Sequence, residues 1–165
     1  MLRACGAIAI AMLMAAHASA QTGDRIPDGP PASPSLVSVS PGADAPGFVH
    51  VTFAEREMKN GVVVGRFWLI NIFKTPQEAT AGLADASWSL YQAECSGTAI
   101  NRIVSFWIDK TGRIVATVPP PAGRVLKREP DSPFDIGAKL SCDNIVPVGQ
   151  RYTTLAEALQ AVRGK

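Results

Sequence analysis

Cys95 and Cys142 are the residues whose chemistry constrains this chain most. A thiol can act as a nucleophile, bind a metal or close a disulfide, and its neighbours decide which. The chain has no CxxC pair, and His50 is the one histidine outside its first twenty residues. A catalytic cysteine needs an adjacent base, and a zinc site needs several ligands close together. Neither pattern is visible, so the pair reads first as a disulfide, given an oxidising compartment. The two cysteines lie 47 residues apart. Closing a loop that long contributes roughly 4 kcal/mol in the chain-entropy model.

The other reactive side chains are weaker candidates. His50 alternates with Val49 and Val51 in "FVHVTF", so as a strand residue it faces away from them. A general base needs a partner to relay its proton; without one, His50 reads as a structural residue. Ser96 lacks the G-x-S-x-G setting that exposes a nucleophile and reads as a turn residue. Glu55 and Glu57 alternate and share a face, but they are too isolated to work as an acid/base pair. Asp109 and Asp143 fall where side-chain oxygens accept from backbone N–H groups. No metal or cofactor site is expected.

Charge gives two further candidates. The run "RVLKRE" carries Arg124, Lys127 and Arg128, a potential anion-binding patch if it is more than a solvated loop. Arg102 interrupts an apolar strand and is expected to pair with a carboxylate or cap carbonyls near the Cys95 corner. Trp68, Trp88 and Trp107 add aromatic surface, and any part of it left uncovered would suit a protein partner. Arg124, Lys127, Arg128, Trp68 and Trp107 are therefore the expected partner-binding surface.

The segments that position these residues are legible from their patterns. "MLRACGAIAIAMLMAAHASAQ" has one cation, an apolar run of about 13 residues and an Ala-Ser-Ala end, so residues 1–20 read as a cleavable signal peptide. The run falls short of the roughly 20 residues that span a bilayer. Cleavage would remove Arg3, Cys5 and His17, lowering the formal net charge from +2 to +1. A near-neutral exported domain is not built for nucleic acid, which demands a concentrated positive field. No integral membrane segment is expected after cleavage.

Residues 21–47 are rich in proline, glycine and serine and read as a tether in which "SLVSVS" could add a short edge strand. The domain is expected over 48–165. "FVHVTF" places Val49, Val51 and Phe53 on one strand face, and Asn60-Gly61 predicts a hairpin. The returning run Val62 to Phe73 is apolar on both faces, as in a central strand. Residues 75–85 read as a breaker-rich crossing with one helical turn at most. Strands are expected at 86–94, 99–109 and 113–118, with Cys95 at a corner and "DKTG" at a turn. Ser132-Pro133 with Asp135 is helix-start chemistry, and a short helix there would present Cys142 at its end. Thr154 to Glu157 is a capping box opening an amphipathic helix with Leu155, Leu159 and Val162 on one face. The expected fold is thus α+β: an antiparallel sheet of five to six strands, a short helix and a C-terminal amphipathic helix.

The succession "WSLYQAEC", "RIVSFWIDKTGRIV" and "PDSPFDIGAKLSC" resembles the bacterial surface-adhesin protein E family. The matching elements are Glu94-Cys95, Arg102, Trp107 to Gly112 and Ser132 to Cys142. The resemblance covers about residues 48–145. It implies an antiparallel sheet with packed helices, a Cys95–Cys142 bond, an envelope location and a role in binding host proteins. The chain differs in its proline-rich tether and in having no lipid-attachment cysteine, which leaves periplasm and cell surface both open. The expectation is a non-enzymatic, exported, disulfide-stabilised binding protein. Its expected partner is another protein, from the host or the envelope, or a second copy in a homodimer. The rival readings are a periplasmic accessory or inhibitor protein and a periplasmic hydrolase.

Overall fold

The computed structural model describes residues 26–32, 34–40, 44–120, 122 and 125–164. The expected signal peptide, with Arg3, Cys5 and His17, lies outside the described residues, as does Arg124. The described residues fold as an antiparallel sheet with two helices, an α+β architecture.

The strands are β1 (Leu36–Ser40), β2 (Gly47–Lys59), β3 (Val62–Ala79), β4 (Gly82–Glu94), β5 (Ala99–Ile108), β6 (Ile114–Val118) and β7 (Leu126–Lys127). Helix α1 (Pro133–Asp143), strand β8 (Arg151–Tyr152) and helix α2 (Leu155–Arg163) complete the chain. The sheet order is β6-β5-β4-β3-β2-β1-β8, with β7 pairing the other end of β5. The sheet therefore has eight strands rather than five or six. Two of the extra strands, β7 and β8, are two residues long and carry no alternation that a sequence pattern could reveal. The third, β1, lies within the stretch read as a tether. It is not an edge: β2 pairs one side of it and β8 the other.

Strand β3 shows why the sheet is buried on both faces. Trp68, Ile70 and Ile72 enter one core cluster, while Phe67 and Leu69 enter the other. Helix α2 contributes Ala158 and Leu159 to the first, with Leu155 and Val162 packed beside them. Helix α1 contributes Ala138 and Leu140 to the second, with Phe134 packed alongside. A strand with apolar residues at consecutive positions requires cover on both sides, and the two helices supply it.

Two hairpins are longer than their sequences announce. Asn60 and Gly61 both adopt positive φ (50° and 79°), as a two-residue turn matching strand twist requires. The 75–85 crossing does not exist: β3 continues to Ala79 and β4 begins at Gly82. Pro76 has no N–H for a ladder, and it falls in the register shift between Ile72 and Gln77, where no ladder bond is required. The tip of this hairpin turns far enough for the Ala81 N–H to donate to the Val115 carbonyl at 2.9 Å.

A second register shift, between Val49 and Ala54, revises the expected face of the first long strand. Val49 and Val51 sit in the α1-side cluster, but Phe53 packs with the α2-side cluster. The extra residues of this bulge break the period of two that the sequence suggested.

Candidate functional site

The disulfide forms as expected. Cys95 and Cys142 are bonded with their Cα atoms 5.3 Å apart. Cys95 follows the last residue of β4, and its N–H extends the ladder by donating to Val63 at 2.9 Å. Cys142 lies in the last turn of α1, held down by three local devices. Gly65 of β3 lies beneath it, where an added Cβ would collide with Ser141 and come within 2.9 Å of the Cys142 sulfur. The exposed Arg56 donates from Nη1 to the Cys142 carbonyl at 2.9 Å, placing a cation at the negative end of the helix. Asn144 then ends α1 in a left-handed conformation, φ 57°, and the Ile145 N–H returns to the Lys139 carbonyl at 3.2 Å.

The other end of α1 is fixed by charge. Ser132 Oγ accepts from the Asp135 N–H, as the helix-start pattern predicts. Asp135 is buried and accepts from Arg128 Nε at 2.6 Å, the Asp131 N–H at 3.0 Å and Lys139 Nζ at 2.7 Å. Burial raises the carboxyl's pKa, but the hydrogen bonds from Lys139, Arg128 and the Asp131 N–H outweigh it and hold the group down at about 2. The same carboxylate raises the Lys139 ammonium. Arg128 is thus committed to α1 rather than free for an anion. Lys127, opposite Ala99 on β5, remains exposed.

Between these elements, a shallow groove of about 540 Å³ runs over the disulfide, with Arg56 and Asp143 among its lining residues. Gly61, Val62 and Val63 of the β2–β3 hairpin form part of its wall. Met58 is 69 % exposed on the same hairpin, and Val62 is exposed at its turn. From Asp143 at the groove, the chain leaves through Ile145, Val146, Pro147 and Val148 before Gly149 packs against Val37 and Ser38 of β1. Ile145 and Val146 are exposed, and Val148 is fully so. The sequence places a helix end near Cys142; no periodicity marks the following apolar residues as exposed, and sequence reasoning missed them.

The remaining candidates fall elsewhere. Trp68 is 1 % exposed and packs edge-on to Phe53 and Trp88, so it lies in the core and not on a partner surface. Trp107 is half-buried, edge-on to Phe73 with ring centroids 5.6 Å apart, and lines a separate groove with Glu78, Ala116 and Val118. His50 is 1 % exposed, with Thr52 Oγ1 3.1 Å from Nδ1 and Phe53 and Trp88 around its ring. It is a core residue. Glu57 pairs with Arg66 at 2.8 Å, and Glu55 lies 4.0 Å from the same guanidinium. Arg102 does cap a carbonyl, but that of Pro119 beyond β6 and not one at the Cys95 corner. Asp109 accepts from Thr111 and Arg113; the hydrogen bond from the Thr111 side chain chiefly holds its carboxyl well below the usual range. Among the described residues, no three His, Cys, Asp or Glu side chains group as metal ligands. No helix among them is long and apolar enough to cross a membrane. No protein-family model, curated protein or solved structure matches the chain.

Proposed function

We propose that this chain is an exported, disulfide-stapled envelope protein that acts by binding another protein, in the manner of the surface-adhesin protein E family it resembles. The observation that supports this reading is where the exposed apolar side chains gather. Among the described residues, five of the eight exposed large hydrophobics are Met58, Val62, Ile145, Val146 and Val148. They lie on two segments: the β2–β3 hairpin, whose Val62 lines the disulfide groove, and the loop that leaves the groove after Asp143. Scattered exposed apolar residues need no explanation, but ones gathered on adjoining segments, with a charged rim, suit an interface. Arg56 and Asp143 supply charged groups at the groove.

The disulfide has a purpose in this reading. It fixes the end of α1, and therefore the start of the 145–148 loop, to the β4–β5 corner. A loop anchored that way loses little freedom on binding.

Two experiments test the proposal. Protease treatment of intact cells separates a surface adhesin, which is removed, from a periplasmic accessory protein, which is spared. Amide hydrogen exchange on the complex with a purified partner should show protection at 57–63 and 142–149. Protection confined to the Trp107 groove would overturn the assignment of the surface.

A further inference from the structure

A second cleft lies away from the disulfide, between Pro30–Ala32 and Pro34, the β5–β6 turn and the start of α2. We infer that it binds a small monocarboxylate with an apolar body. Its volume is about 560 Å³, inside the range of about 300–1,000 Å³ usual for small-molecule sites. Pro30, Pro31, Pro34, Trp88, Ile108 and Leu155 give it an apolar lining.

The polar groups at the cleft decide the ligand class. Two rim hydroxyls are already engaged as donors, Thr111 to Asp109 and Thr153 to Glu157, whereas Thr154 accepts from the Glu157 N–H and keeps its own O–H. Two further donors stand beside that hydroxyl. The Trp88 indole N–H is buried and has no acceptor among the described residues, although Trp88 lines the cleft. The Lys110 ammonium is exposed at the rim, with no carboxylate partner among the described residues. The Trp68 indole also lacks a conventional acceptor, but aromatic rings surround it in the core and it does not reach the cleft.

The nearby acids do not cancel this preference. Asp109 is compensated by Arg113 at 3.0 Å, and Glu157 is held by the N–H groups of Thr153 and Thr154. Asp28, on the 26–34 segment, is not among the lining residues. One cation, one buried donor and an apolar lining together match one anionic acceptor group carried on an apolar body.

The test follows the three indole ¹H–¹⁵N signals of the purified protein, assigned with Trp107→Phe and Trp68→Phe, during titration. Decanoate and 3-phenylpropanoate distinguish a linear acid from a ring-bearing one, and decanol serves as the uncharged control. The expected result is a saturable shift of the Trp88 signal with at least one acid, larger than that of Trp107. Lys110→Gln should weaken binding by about tenfold with an unchanged melting temperature, the loss expected for one charge-assisted contact. The inference is overturned if neither acid moves the Trp88 signal, if decanol binds as tightly as decanoate, or if Lys110→Gln binds as well as the native protein.

Discussion

Asp135 accepts from Arg128, Lys139 and the Asp131 backbone at once, and its charge therefore contributes to stability in a defined pH window. Its folded pKa, about 2, lies below the ordinary value of 3.8. The contribution is complete above the unfolded value, so it should be lost as pH falls from about 4 towards 2. Urea unfolding at pH 7 should show Asp135→Asn less stable by about 2 kcal/mol, because Arg128 and Lys139 lose their charged acceptor. The difference should shrink at pH 2.5; a constant difference would show that the charge is not what holds α1. Gly137 is the second residue to test: a Cβ there would collide with the Phe67 ring. Gly137→Ala should cost about 1–3 kcal/mol through overpacking, despite the better helix propensity of alanine. Of these contacts, only the Ser132 cap was legible in the sequence. The Arg128–Asp135 pair depends on the 128–132 segment folding back onto α1, and nothing in "RVLKRE" separates an anchored arginine from a solvated one.

At the scale of elements, local rules were readable wherever a side chain and its own backbone sufficed. The Thr154–Glu157 capping box forms, the Thr154 hydroxyl accepting from the Glu157 N–H and the Glu157 carboxylate from the Thr154 N–H. Thr154→Ala should reduce stability by about 1 kcal/mol in thermal or urea unfolding. It should leave α1 contacts unchanged, since α2 packs on the other face. The Asn60-Gly61 turn and the two-faced run of β3 were equally plain. What sequence could not reveal depends on pairing across long separations. Pro76 reads as a breaker because its tolerated position, inside a register shift, is set by β4. Phe53 reads as a partner of Val49 because the bulge that moves it to the other face is set by β3. Strands β7 and β8 exist only because β5 and β1 have edges for them to complete.

For the whole molecule, the staple and the surface belong to one account. Replacing both Cys95 and Cys142 with serine should lower stability by roughly 2–5 kcal/mol in urea unfolding. The loop following α1 should then exchange its amides faster than the rest of the sheet. The staple was legible because two cysteines with no neighbouring base or metal ligands have few other roles, whereas the exposed Ile145-Val146-Pro147-Val148 run was not, because apolar residues are expected inside. The most direct test of the central claim is the affinity of a purified partner for the native protein and for the Val146→Asp/Val148→Asp double variant. Such a partner would be captured on the immobilised native protein from envelope or host-matrix material and identified by mass spectrometry. Both positions are exposed, so the melting temperature should stay the same while affinity falls at least about tenfold. Equal affinity in a folded double variant would contradict the account.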